Sequence, residues 1–458
     1  MQTAAGSLRG RQAARASGTA GLTRRAVCGG GAALAGAHLA AACGAGGQQA
    51  GPGQAAAGSV VFWRTAPSGP ALEFWTKTEP LLRETHPTID FKRESPALPQ
   101  GQSFLQALVA AAAAGSGPDV YEDDVVLNRM QVTVPAGIPR AVDEYYARLP
   151  NLKRIFPWTR RVAQLKGKTW GIPHEVEFVS VFYNKEALQK ANLKPTPQTW
   201  DDFQRMARSL ASSGAMPLLV AGITQYRHLH GYLMAAILGK PGMDEIVHGN
   251  GRWDTGGCVD AAQLMLDLGA AGVMPRDPFD SAWTMPADFF TGRAAQTVTG
   301  TWSIASYEQQ KRQSPGFDFG QYAIPSPKAG LKPQFCGGVG GGFSITTQAK
   351  APDAAAAFVD FLYSPPVQKN WIEILFQIPP VPFKVEDYTI SPGNREALTL
   401  IHQFEQSGIA AAFWMVQTAQ QFEEYGPLIE RVLKKEITPK EMGLRMQQLW
   451  DEFKRQFR

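Results

Sequence analysis

Three short runs of alternating or continuous apolar residues open the body of the chain, separated by two stretches with helical spacing. "SVVFWRTAPSG" (59–69) starts as a strand over Val60 to Trp63 and breaks into a Pro/Gly loop. "ALEFWTKTEPLLRETHP" (71–87) sets Leu72, Trp75, Leu81 and Leu82 at near-helical intervals and stops at Pro87. "TIDFKRES" (88–95) alternates as a second strand. "SFLQALVAAAAAGSGPDV" (103–120) is an Ala-rich helix with a Gly/Pro stop, and "DVYEDD" (119–124) is a third strand ending in acids. A β-α-β-α-β order with connections of this length predicts an α/β fold in which a mostly parallel sheet is flanked by helices.

Further along, "GIPHEVEFVSVFYNK" (171–185) is apolar on both faces from Phe178 onward, the pattern of a buried parallel strand. Its two acids, Glu175 and Glu177, precede that run and fall on one face, roughly 7 Å apart at about 3.4 Å per residue. "PTPQTWDDFQRMARSL" (195–210) predicts a helix capped by Thr199, with Asp202 reaching back. "APDAAAAFVDFLYSPPVQKNWIEIL" (351–375) predicts two helices broken at Ser364-Pro365. "ITPKEMGLRMQQLWDEF" (437–453) predicts a terminal amphipathic helix, with Thr438 as cap, Pro439 at the first position and Glu441 completing the capping box. No internal repeat is present.

Length and charge refine this picture. A chain of 458 residues exceeds one ordinary core, so at least two domains are expected. The formal charge is +5, yet Arg9, Arg11, Arg15, Arg24 and Arg25 stand ahead of Cys43 with no acid among them. Without those five the basic count falls from 45 to 40, equal to the 40 acids, so the body carries no electrostatic footprint for nucleic acid. "LTRRAVCGGGAALAGAHLAAAC" (22–43) reads as an export signal: paired arginines, a short Ala/Gly-rich apolar segment, then small residues. It is too short and Gly-rich for a spanning helix. The arginine pair resembles a twin-arginine signal. "LAAAC" resembles a lipoprotein box that would place a lipid on Cys43, although Leu39 stands four residues before the cysteine where that pattern has it three. Ala40-Ala41-Ala42 also reads as an ordinary cleavage site. Residues 1–42 are thus a signal peptide and 43–58 a Gly/Gln-rich tether. In the body only Cys258 and Cys336 remain, and their pairing is open. No cysteine or histidine spacing matches a metal motif; His228 and His230 are only an i, i+2 pair. No metal or cofactor is implied.

Several of these segments together resemble one family. An exported leader ending at a cysteine is followed by "FWRT", "PLLRETHPTIDFK", "AAAAGSGPDVYEDD", "GIPHEVEFVSVFYNKEAL", "PTPQTWDDF", "FFTGRAAQTVTGTWSI", "GGVGGGFSIT" and "AAAAFVDFLYSPPVQKNW". In this order they resemble the extracellular solute-binding proteins of bacterial ABC importers, in the maltose-binding-like, sugar-binding branch, over nearly all of residues 59 to 458. The resemblance implies two α/β lobes of the type II periplasmic-binding-protein fold, joined by a multi-strand hinge with the ligand in the cleft between. It places 59–177 plus 339–385 in the N-terminal lobe and 178–338 plus 386–458 in the C-terminal lobe. It implies no enzymatic activity, a mono- or oligosaccharide as ligand, ABC permease subunits as partners, a monomer, and a cell-surface or periplasmic location held to the membrane through the N-terminal lipid.

Candidate site residues follow from both lines. Ligands of open α/β sheets lie beyond the carboxyl ends of strands, which selects Glu122 and Asp123 after the third strand and Trp63 and Arg64 after the first. By resemblance, Glu177 is the hinge-side carboxylate, six residues before the Tyr of "YNK", that bonds a sugar hydroxyl. Sugar rings stack on aromatic faces. Trp302, in "GTWSI", matches the family's G-x-W, and Trp283, Trp414 and Tyr226 are further stacking candidates. "CGGVGGGFSIT" (336–346) lacks a phosphate-loop or dinucleotide pattern. It reads as a strand crossing between lobes, in which Gly337 and Gly338 offer backbone amides. Other ligands for the same fold stay open: a polyamine or amino-sugar held by the acids, or a glycerol phosphodiester held by Arg64. A secreted glycoside hydrolase using Glu175 and Glu177 is the rival from another class, and an adhesion role is the third.

Overall fold

The computed structural model describes residues 56–457, apart from 100–101, 248, 334, 392–394, 396–397, 400–409, 412 and 416. The signal peptide, Cys43 and most of the expected tether lie outside the described residues. Twelve strands are described. In chain order they are β1 (Gly58–Trp63), β2 (Ile89–Glu94), β3 (Val120–Asp124), β4 (Gln164–Leu165), β5 (Lys168–Thr169), β6 (Ile172–Pro173) and β7 (Val176–Asn184). They continue as β8 (Gln296–Gly300), β9 (Phe319–Tyr322), β10 (Cys336–Val339), β11 (Gly341–Ile345) and β12 (Ala410–Ala411).

They build two sheets and a small β4–β5 hairpin. The first sheet has the order β2-β1-β3-β11-β6, and the second β12-β10-β7-β8, with β9 also paired to β7. The first sheet gathers chain from residues 58–173 and 341–345, the second from 176–339 and 410–411. The chain passes from one sheet to the other between Pro173 and Val176, and returns between Val339 and Gly341. These two passages lie side by side, because β10 runs antiparallel to β7 with Gly338 opposite Glu177 and Val339 opposite Val176.

Strand direction departs from the expected pattern. β1 is parallel to β2 and β3, as the β-α-β-α-β order predicts, but β11 and β6 join that sheet antiparallel. In the second sheet β7 is antiparallel to β8, β9 and β10, while β12 pairs parallel with β10 and Leu219 makes a single parallel bridge to Thr297 of β8. The apolar run from Phe178 reports burial on both faces, which holds here: Phe178, Val179, Val181 and Phe182 are fully buried. Burial says nothing about direction, so the parallel assignment of β7 is corrected.

Each sheet has its own core. Val60, Phe62, Phe74, Trp75, Phe343 and Phe358 pack in the first lobe; Val179, Val181, Phe203, Tyr226, Trp253 and Trp450 pack in the second. A third cluster joins Val176 and Phe178 of β7 to Ile372, Ile378, Phe383 and Val385, so the segment after the Pro365–Glu373 helix leans on the crossing. The Val176 amide donates to the Ile378 carbonyl at 2.8 Å.

Helix starts follow local chemistry. Thr199 caps the Trp200–Ser212 helix, accepting from the Asp202 amide, while the Asp202 carboxylate accepts from the Thr199 amide. Thr438 and Glu441 do the same for Pro439–Phe457. The Ser103–Gln106 and Thr418–Gln421 boxes add two more. Within the Pro70–Thr85 helix the inward face is Phe74, Trp75, Thr78 and Leu82, whereas Leu72, expected on that face, is exposed. Cys258 and Cys336 are separate buried thiols of the second lobe.

Candidate functional site

A cavity of about 240 Å³ opens where the two crossings meet. Asp124, at the end of β3, Val126 just beyond it and Asn128, in the Leu127–Thr133 helix, come from the first lobe. Gly340, between β10 and β11, and Glu177 of β7 form the floor at the crossing. Thr224, Arg227 and His228 lie on the Ile223–Val247 helix at i, i+3 and i+4, and therefore on one face. Trp302 sits in the 3₁₀ turn Thr301–Ser303 after β8, Trp414 in the turn Phe413–Met415, and Phe422 in the Ala419–Leu433 helix.

The aromatic wall is a small cluster. Trp302 and Trp414 meet edge-to-face with ring centroids 6.2 Å apart and planes at 78°. The His228 ring lies 5.2 Å from Trp302 and 5.9 Å from Trp414. The Trp414 indole N–H donates to the Val339 carbonyl at 3.3 Å, which ties this wall to the crossing. Trp302 keeps 36% of its surface exposed, unusual for a ring so close to other aromatics, and presents an apolar face to the cavity.

The cavity also carries buried carboxyl groups. Burial pushes the Glu177 carboxyl well above its ordinary pKa, and the neighbouring charges of Glu175 and Asp124 push it further. Burial likewise takes Glu175 up to about 8, reinforced by Glu122 and Asp124 and opposed by Arg64. Behind them His174 is stacked on Trp371 at 5.3 Å and held to about 3 by burial and by Arg64. Its ring nitrogens lie 3.8 Å from Glu122 and 3.8 Å from Glu175. His228 falls to about 4, through burial and then Arg227, so it is neutral at neutral pH. Arg227 lies 4.0 Å over the Phe422 ring and donates to the Phe422 carbonyl at 3.1 Å. Asn128 is buried, and its Oδ1 meets no donor among the described residues.

The model of the family "Bacterial extracellular solute-binding protein" matches residues 73–369, well over half of the chain. The chain belongs to the bacterial extracellular solute-binding proteins. A multiple sugar-binding protein of Streptococcus mutans is 22% identical over 240 residues, 50% of this chain and 54% of that one. A maltooligosaccharide ABC transporter solute-binding lipoprotein of Streptococcus pneumoniae is 23% identical over 256 residues, 54% of this chain and 57% of that one. The match thus spans little more than half the length of these relatives. Among solved structures, a chitin oligosaccharide binding protein superposes with a TM-score of 0.71 at 19% identity, covering 86% of this chain and 98% of that one. This likeness establishes the two-lobed α/β fold.

In this solute-binding protein, three of the sequence-predicted residues meet at the cavity: Glu177, Trp302 and Trp414. Glu122 and Asp123 fall one layer behind it. Glu122 pairs with Arg64 at 3.5 Å, and Asp123, raised to about 6 by burial, lies 3.6 Å from Arg129. Asp124, the last acid of the same strand, is the one at the wall. The Trp63 indole donates to Glu94 at 2.9 Å. Tyr226 is corrected from wall to core: it is fully buried and donates its hydroxyl to the Pro275 carbonyl at 2.6 Å. Trp283 stacks under the Arg293 guanidinium at 4.4 Å, away from the cavity wall. Gly337 and Gly338 belong to the β10–β7 ladder, while the glycine at the wall is Gly340. Sequence reasoning missed Arg227, His228 and Thr224, whose i, i+3, i+4 stripe on an otherwise apolar helix was the available signal. Phe422 and Asn128 carried no local signal.

Proposed function

We propose that the cavity captures a carbohydrate and that the protein delivers it to the membrane subunits of an ABC permease. One observation carries this reading: the paired Trp302 and Trp414 line the same cavity as the acceptors Glu177, Asp124 and Asn128. A pyranose has an apolar face suited to the first and a rim of hydroxyl donors suited to the second. The names of the sugar-binding relatives agree with this reading, and the cavity volume is close to the lower end of the ~300–1,000 Å³ range of small-molecule sites, which fits a short saccharide or one end of a longer one. Lobe closure about the two adjacent crossings is the functional motion. No chemistry is assigned to Glu175 and Glu177, because Glu175 turns toward His174 and only Glu177 lines the cavity.

The remaining parts of the reading concern the N-terminus. The leader exports the protein, Cys43 becomes lipidated, and the tether lets a monomeric binding body reach its permease. The S. pneumoniae relative's designation as a lipoprotein supports this.

Thermal unfolding against a panel of mono- and oligosaccharides and polyols tests the ligand class. A ligand at about 100 times its Kd adds roughly 2.7 kcal/mol of stability. A shift with at least one saccharide is expected; a flat response across the whole panel removes the carbohydrate reading.

A further inference from the structure

The cavity is lined by carboxyl groups, and among the described residues Glu177 is the one that no cation faces. Glu177 is the second residue of β7, and Glu175, just ahead of that strand, lies by His174 instead. No hydrogen bond or ion pair reaches the Glu177 carboxylate among the described residues, and a Cβ on Gly340 would collide with it, so the glycine leaves it room at the cavity floor. The guanidinium groups nearby face groups other than Glu177. Arg64 faces Glu122 at 3.5 Å, Arg129 lies 3.6 and 3.7 Å from Asp123 and Asp124, and Arg227 is held by the ring and carbonyl of Phe422. His228 supplies no charge at neutral pH.

Asn128 is an independent pointer to a ligand. It is 5% exposed, lines the same cavity, and its buried Oδ1 lacks a donor among the described residues. A buried acceptor without a donor is costly in the empty site and is satisfied only by something that enters. A sugar hydroxyl brings one donor and no charge. An ammonium brings three donors and a positive charge.

Resting on the carbohydrate reading above, we propose that the preferred ligand is an amine-bearing saccharide, whose protonated amine sits against Glu177 with Asp124 and Asn128 Oδ1 as further acceptors, while Trp302 and Trp414 hold the apolar face of its ring. The same acceptors then discriminate against the N-acylated form, which has lost the charge and two of the donors. Burial favours the protonated form of Glu177 in the empty cavity, and an entering ammonium restores the ionised one.

The test is calorimetric titration of the processed protein with a glucosamine trisaccharide, its N-acetylated counterpart and maltotriose, at about pH 6, where sugar amines are protonated. The amine-bearing trisaccharide is expected to bind at least tenfold more tightly than either neutral one. In E177Q this advantage falls to near unity, because the amine-bearing trisaccharide loses more affinity than the neutral ones, and D124N reduces it in the same direction. Equal or tighter binding of a neutral trisaccharide by the wild type overturns the amine proposal and leaves the carbohydrate reading standing. An amine preference that survives in both E177Q and D124N overturns the role given to these carboxylates. Binding of no saccharide at all overturns both readings.

Discussion

Gly340 and Glu177 share one space: the position that a Cβ would take on the glycine is filled by the glutamate's carboxylate. The glycine belongs to the return crossing and the glutamate to the outward one, so the floor of the cavity is set by two strands that pass between the lobes in opposite directions. Gly340→Ala therefore moves the Glu177 carboxylate, the flexible end of its side chain, and leaves the backbone in place. Ligand affinity is expected to fall several-fold, with folding stability within about 1 kcal/mol of wild type. Denaturant unfolding and ligand titration of the same variant check both halves; a large loss of stability with intact affinity would contradict this account.

Trp302→Ala removes one face of the aromatic wall. An aromatic contact of this kind is worth about 0.5–1.5 kcal/mol beyond area burial, so affinity for a saccharide should drop by about tenfold or more. Because the ring is 36% exposed, the fold should lose little. Calorimetric titration decides, and an unchanged Kd would take Trp302 out of the site.

Stability should fall as pH rises through the neutral range. Glu175 is raised to about 8 in the folded protein from an ordinary 4.5, so between these values the folded state binds more protons than the unfolded one, and the slope of stability with pH is negative. The buried His174, His228 and His230 act oppositely, but only between their folded values of about 3 to 4 and their ordinary 6.5. From pH 6.5 to 8 the carboxyl contribution stands alone, on the order of 1–2 kcal/mol. Chemical denaturation at the two pH values should show that loss in the wild type and a shallower one in E175Q. Stability that is flat or rising across this window would be inconsistent with a protonated Glu175.

Tyr226→Phe separates core from site. It removes the hydrogen bond to the Pro275 carbonyl inside the second core and should cost about 1–2 kcal/mol of stability without altering saccharide affinity. Weakened binding with unchanged stability would return Tyr226 to the cavity wall.

The contrast between Tyr226 and its neighbours shows what a sequence can and cannot disclose. Helices capped at Thr199 and Thr438 were legible because a cap is a bargain between residues three apart. The strand through Phe178 was legible as buried, since apolar residues on both faces leave no other place for it; its antiparallel partners were not, because pairing is decided by segments more than a hundred residues away. In "ITQYRH" the aromatic residue attracted attention, yet helical geometry turns Arg227 and His228 to the cavity and Tyr226 to the core. At the end of β3 the chemistry was right and the register was not: the acid at the wall is Asp124, and Glu122 and Asp123 serve behind it. Gly340 and Phe422 enter the site only through tertiary contact, so nothing near them in the chain announces it.

The central claim is that ligand binding depends on the carboxylate at the lobe crossing. The most direct measurement is calorimetric titration of wild type and E177Q, in parallel, with the saccharide that raises thermal stability most. The account predicts one site per chain in the wild type and an affinity at least tenfold weaker in E177Q, with both proteins folded. Equal affinity in the two proteins would contradict it.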